Sequence, residues 1–166
     1  MTVLSTHQPT APPLPVGYAL RRMTIGDIGA LHALERVIFP LDAYGYLDLA
    51  ILFLWPTIVN LKIVAPDDKL AGIISGIRAL DAQRAWIITV GTAPAHQRRG
   101  LGAFMLHTME QRLKRPHMRL TVRSGNTPAI NLYEQTGYST IARKIRYYRD
   151  GEDGLVMEKQ VFGETF

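Results

Sequence analysis

The run HQRRGLGAFML, His96 to Leu106, sets Arg98 and Arg99 directly before Gly100 and Gly102, and an apolar helical pattern starts at Leu101. A helix N-terminus exposes unpaired amides and carries about half a positive charge. Glycine lets an anion approach that backbone and arginine adds charge, so the stretch reads as a diphosphate cradle between a strand and a helix. A tight turn with solvated arginines would use the same residues. The spacing is not that of a P-loop, which needs a lysine for a terminal phosphate. Nor is it the dinucleotide fingerprint, since it lacks the closing small residue and follows several strands instead of opening the fold.

The 166 residues contain no cysteine, so disulfide frameworks, thiolate catalysis and cysteine-bound zinc are excluded. No metal site is expected. The net charge is +5, and lysine and arginine concentrate after residue 96, beside the cradle. That distribution suits a phosphate-bearing ligand better than a nucleic-acid surface, for which no motif is present.

These residues need elements to hold them. Residues 1–16 are rich in proline and small polar residues and are expected to be a disordered tail, without the features of a signal peptide. Residues 17–163 are expected to form a single domain. Tyr18–Met23 reads as a strand, followed by Thr24 as an N-cap with Asp27 three residues on. Ile28, Leu31, Leu34, Glu35 and Ile38 keep helical spacing until Pro40 breaks it. Tyr46–Leu54 reads as a second helix, because its apolar run is too short to span a membrane.

Three strands follow, at Asn60–Pro66, Leu70–Leu80 and Ala85–Thr92. The helix after Gly100 places Leu101, Phe104, Met105, Thr108, Met109 and Leu113 on one face and ends before Pro116. MRLTVR alternates as a strand, with Met118, Leu120 and Val122 pointing one way. TPAINLYEQTG reads as a short helix capped by Thr127, with Gly137 past its end. Two last strands, near Tyr138–Tyr147 and Leu155–Val161, flank RDGED as a hairpin tip. The order gives an α/β (α+β) protein with helices on the faces of a mixed sheet.

ITVGTAPAHQRRGLGAFML resembles the first signature of the GNAT acetyltransferase superfamily, a strand, then Q/R-x-x-G-x-G/A, then a helix. VRSGNTPAINLYEQTGY resembles the second, N-x-x-A-x-x-L-Y-E-x-x-G-F/Y. The resemblance spans roughly residues 17–162. Within the superfamily, FPLDAY, RLTVRSGN and ARKIRYYRDGEDGLVMEK resemble the RimI-like group, which acetylates protein N-termini. The resemblance implies a mostly antiparallel sheet of about seven strands and about four helices. It also implies acetyl-CoA as donor.

By resemblance, the diphosphate would sit on the amides of Arg98, Arg99, Gly100, Leu101, Gly102 and Ala103, with Gln97 opening the loop. The pantetheine arm would pair beside Val90–Thr92, with Gly91 permitting a bulge or serving packing. Asn126 matches the motif asparagine near the cofactor arm, or caps the next helix. Tyr133 matches the tyrosine near the thioester sulfur, whose phenol, of pKa about 10, would donate to a leaving thiolate of pKa about 8.5; apart from the motif it reads as a core tyrosine on a short helix. Phe39, Pro40, Leu41, Asp42, Tyr44, Tyr147 and Tyr148 would line the acceptor groove, or pack as ordinary core and hairpin residues.

One departure is chemical. Thr121 stands where RimI-like enzymes carry a glutamate as general base, and threonine cannot take a proton at neutral pH. An α-amine of pKa about 7.7–8.0 is roughly one-third neutral at pH 7.5, whereas a lysine is neutral to the extent of about 0.1%. The departure therefore favours an α-amine or another low-pKa amine as acceptor, and it also permits a weak or inactive enzyme. Glu35, as a water-linked base or an exposed helix charge, and Asp42, as an ammonium ligand or a turn residue, are the substitutes on offer. His96 is expected to flank the cofactor.

The expected protein is a cytoplasmic N-acetyltransferase, monomer or homodimer, with a protein N-terminus as acceptor and no nucleic-acid or membrane partner. A small amine or a lysine side chain as acceptor, or a weakly active or non-catalytic acyl-CoA-binding module, are the alternatives.

Overall fold

The computed structural model describes residues 12–161. The disorder expected for the tail concerns mainly residues 1–11, which lie outside that range, as do the last two residues of the expected domain.

The chain runs β1 (Ala19–Arg22), α1 (Ile28–Ile38), α2 (Tyr46–Leu54), β2 (Ile58–Val64), β3 (Leu70–Arg78), β4 (Arg84–Thr92), α3 (Leu101–Leu113), β5 (His117–Arg123), α4 (Thr127–Gln135), β6 (Ser139–Lys144) and β7 (Gly154–Gln160). The Thr24 amide and hydroxyl both donate to Asp27, and a short 3-10 turn, Ile25–Asp27, precedes α1. The seven strands form one sheet in the order β1-β2-β3-β4-β5-β7-β6. Every neighbouring pair is antiparallel except β4 and β5.

That exception shapes the molecule. β4 and β5 pair only over Arg84–Trp86 against His117–Arg119. Beyond this the strands part, while β4 stays paired to β3 as far as Thr92. A wedge-shaped opening results, with unpaired β4 backbone on one side. α3 covers one face of the sheet, burying Leu101, Met105, Leu106, Met109 and Leu113 against Ile74, Ile87, Met118, Leu120 and Val122. α1 and α2 cover the other face at β3 through Leu31, Leu49, Leu52 and Ile73. Because Leu120 and Val122 face α3, the strand pleat turns Thr121 and Arg123 to the α1–α2 side.

Several local expectations change. Asn126, not Thr127, caps α4, its side-chain oxygen accepting from the Ala129 amide at 3.3 Å. β6 ends at Lys144, so the connection to β7 is a longer loop carrying both Tyr147 and Tyr148. The β4 bulge lies at Ile88, the extra residue between the Ser75↔Thr89 and Gly76↔Ile87 pairs. Gly91 is bare for packing: a Cβ there would lie 2.9 Å from Ile38 and 3.4 Å from the Phe39 ring. Glu110 joins the buried face of α3, where Lys159 at 2.9 Å and the Tyr138 hydroxyl at 3.0 Å pair with it. Among the described residues no helix is long and apolar enough to cross a membrane.

Candidate active site

The loop before α3 has the backbone its sequence demands. Arg98 and Gly100 take positive φ, 62° and 77°, and Gly100 stands at the N-cap. The ladder of α3 begins with the Phe104 amide donating to the Gly100 carbonyl at 3.0 Å. The amides ahead of Phe104 precede that first bond, as at any helix start. Gly102 has a different role: a Cβ there would lie 2.8 Å from Leu132, so its bareness lets α4 pack on α3. Gln97 turns back to donate to the Thr92 carbonyl at 3.3 Å, tying the loop to the end of β4. The Tyr18 hydroxyl and His96 Nδ1 lie 2.9 Å apart and fix His96 at the loop's entry.

Val90, Gly91 and Thr92 lie beyond the last β4–β5 pair, where the β4 backbone is unpaired toward β5. A thirteen-residue helix with a glycine-opened first turn, two arginines and an adjoining free strand edge fits an acyl thioester carrying a diphosphate.

Tyr133 extends from α4 and is 7% exposed, its ring edge-on to Tyr138 at 6.1 Å. Burial raises its pKa well above the ordinary phenol value, with a smaller contribution from Tyr148, so the hydroxyl keeps its proton at neutral pH. A protonated phenol can donate, which is what a departing thiolate requires.

The opposite rim comes from two loops. Phe39 closes α1, its amide donating to the Glu35 carbonyl at 2.7 Å, and Asp42 turns back to the Phe39 carbonyl. Leu41 is 70% exposed and Pro40 lies in the turn between them. Tyr147 packs beside Thr121: a Cβ on Gly154 would meet both at 3.0 Å. Tyr148 stands perpendicular to Tyr147 at 5.1 Å. Its pKa is pushed up to about 12, chiefly by burial and next by Asp42. Tyr44 is raised by burial and then by Glu35, with Tyr147 contributing, so the two loops face one another.

Arg123 joins them. Its guanidinium binds Asp42 through two nitrogens at 2.5 and 2.7 Å, and holds Asp150 at 2.8 Å and Glu152 at 2.7 Å. It also lies 4.1 Å from the Tyr148 ring centroid. Both carboxylate oxygens of Asp42 thus face Arg123. Thr121 presents no carboxylate, as its identity requires.

Glu35 departs furthest from expectation. It is 0% exposed, not a surface charge. One carboxylate oxygen accepts the Tyr44 amide at 3.1 Å and the other faces the Thr89 hydroxyl at 3.4 Å. Desolvation raises its pKa, and those two hydrogen bonds only partly offset it. A signal for this burial exists in the sequence: Glu35 stands four residues after Leu31 and three before Ile38, within the apolar stripe.

Comparison with known proteins follows the same lines. The sequence model of the Acetyltransferase (GNAT) family matches residues 30–138. The N-terminal acetyltransferase B complex catalytic subunit NAA20 of Arabidopsis thaliana is 30% identical over 112 residues, 63% of this chain and 63% of that protein. The [ribosomal protein bS18]-alanine N-acetyltransferase of Salmonella typhimurium is 32% identical over 105 residues, 60% of this chain and 69% of that protein. The crystal structure of the ribosomal-protein-S18-alanine N-acetyltransferase from Escherichia coli superposes with a TM-score of 0.77 at 24% identity, covering 90% of this chain and 98% of that one.

Proposed function

Because this chain belongs to the GNAT acetyltransferase family, we propose that it is a cytoplasmic Nα-acetyltransferase whose acceptor is the N-terminal amine of a protein. As a member of that family it is an acyltransferase that uses acetyl-CoA. When bound, the cofactor supplies an activated acetyl thioester. The amides from Arg98 to Ala103 hold its diphosphate, with the Arg98 and Arg99 charges beside them, and the free edge of Val90–Thr92 takes the pantetheine. Asn126 fixes the start of α4 through its cap and so positions Tyr133. The Tyr133 hydroxyl donates to the sulfur as it leaves.

The observation that carries the acceptor assignment is the joined rim. Arg123 ties the Phe39–Tyr44 loop to the Tyr147–Tyr148 loop beside the strand opening. A rim closed on both sides admits a chain end, presented end-on, more readily than a mid-chain lysine. A relative named as an N-terminal acetyltransferase subunit and another named as a ribosomal-protein-alanine N-acetyltransferase support the same choice.

The test is steady-state kinetics of Tyr44→Ala and Tyr147→Ala with a short peptide bearing a free N-terminus. Each variant should raise the peptide KM by about tenfold, on the scale of ~1.4 kcal/mol of lost contact, and leave the acetyl-CoA KM unchanged. An unchanged peptide KM in both would remove these loops from acceptor binding.

A further inference from the structure

Acylating an amine releases a proton, and some group must receive it. The carboxylates around the opening are mostly committed. Asp42, Asp150 and Glu152 all bind Arg123, Glu158 binds Arg119, and Asp153 binds Arg143 and the Arg146 amide. Asp48 accepts the Gly45 amide at the start of α2. Glu35 differs. It is fully buried, and among the described residues no lysine, arginine or histidine pairs with it. Burying a carboxylate without a cation is costly, and the fold carries that cost next to the opening.

The strand geometry gives Glu35 an outlet. Thr89 lies three residues beyond Trp86, the last residue of β4 paired to β5. The bulge at Ile88 turns Thr89 to the same face as Thr121, so the two threonines stand on either wall of the opening. Thr89 is the residue whose hydroxyl donates to Glu35. On that face the following residue is Gly91, which Ile38 and Phe39 cover from the α1 side. The Thr89 hydroxyl is the group on the unpaired stretch of β4 that reaches Glu35.

We propose that Glu35, acting through the Thr89 hydroxyl, receives the proton released by the acceptor amine. This rests on amine acetylation at the opening, whichever amine is the natural one. The amine proton passes to the Thr89 oxygen while the Thr89 hydroxyl proton passes to Glu35. The new C–N bond forms, the C–S bond breaks with its electron pair on sulfur, and the sulfur takes a proton from Tyr133. Tyr133 is reprotonated at the expense of the proton held on Glu35, by way of solvent, so protons balance over a turnover. Desolvation, which raises the Glu35 pKa, moves the group toward the range in which a base for an α-amine works. The titratable groups around it are Tyr44, which it contacts, and Tyr147, Asp42 and Asp48, which act on Tyr44.

Glu35→Gln tests this because glutamine keeps an oxygen for the Tyr44 amide and an amide for Thr89, but takes up no proton. With the best acceptor amine of the wild type, kcat should fall about 100-fold while the acetyl-CoA KM holds. The acid limb of log kcat/KM against pH should change from a slope of two, for amine and Glu35 together, to a slope of one. Thr89→Val should reproduce the loss and Thr89→Ser should restore it. In the ligand-free protein, the carbon-13 resonance of the Glu35 carboxyl, assigned by its absence in Glu35→Gln, should titrate above the ordinary carboxylate range. A Glu35→Gln enzyme with wild-type kcat and an unchanged acid limb would overturn the proposal, as would equal rates in Thr89→Val and Thr89→Ser. If the best acceptor proves not to be an N-terminus, the acceptor assignment falls and the proton path is still tested on the amine that reacts.

Discussion

At the scale of single residues, the proposed chemistry rests on a buried phenol, Tyr133, and a buried carboxylate, Glu35. Tyr133 is held neutral by burial, so removing its hydroxyl should cost chemistry and not binding. Tyr133→Phe is expected to lower kcat by about 100-fold with acetyl-CoA affinity by calorimetry unchanged. Glu35 carries a cost in stability, and its sign follows from linkage. Its folded pKa lies above its ordinary value of 4.5, so the folded state binds more protons in the window between the two. Stability therefore falls as pH rises from about 4.5 to the raised value, and the penalty is complete above it. Glu35→Gln is expected to melt no lower than wild type at pH 8, and relatively lower at pH 4; a lower Tm at pH 8 would assign Glu35 a stabilising role. The motif singles out Tyr133 as a candidate. Glu35 was misread because helix periodicity gives the face of a residue, and a charged residue on a buried face contradicts its own preference for water.

At the scale of elements, two close approaches hold the site together. α1 ends against Gly91, where an added methyl would lie 2.9 Å from Ile38. Gly91→Ala is expected to destabilise by about 1–3 kcal/mol, lowering Tm by roughly 2–4 °C for each kcal/mol, and to displace the loop after α1 proposed to bind the acceptor. A calorimetric scan with peptide KM measured in parallel checks both effects. The Arg123 tie makes a second case. Arg123→Gln should loosen both loops and raise the peptide KM about tenfold, on the scale of ~1.4 kcal/mol, with the acetyl-CoA KM unaffected. Equal peptide KM in variant and wild type would show that the tie does not shape the groove. The helices and strands were readable from periodicity and turn residues to within a few positions. The bulge at Ile88 and the Arg123 tie were not. A bulge is set by register against a neighbouring strand, and Arg123 reaches a residue 81 positions away, which no local pattern encodes.

At the scale of the whole molecule, the sheet parts between β4 and β5 and is clamped elsewhere. One clamp is the buried trio of Glu110 on α3, Lys159 on β7 and Tyr138. Lys159→Met would leave Glu110 buried without its cation, at a cost of about 3–5 kcal/mol, and should lower the urea midpoint accordingly. Adding Glu110→Met should recover much of that loss, since removing both charges removes the penalty. The mixed sheet was foreseeable from element order and the two linked motifs. The trio was not, because its members are distant in sequence and Glu110 and Lys159 each look like a surface charge. Which amine is acetylated can be read off the product. The protein is incubated with acetyl-CoA and a panel of peptides, each offering a free N-terminus and an internal lysine, and the acetyl group is mapped by mass spectrometry. Acetyl on N-termini, with preference among first residues, is the expected result. Acetyl confined to lysines, or no transfer to any peptide while acetyl-CoA binds, would contradict an N-terminal acceptor.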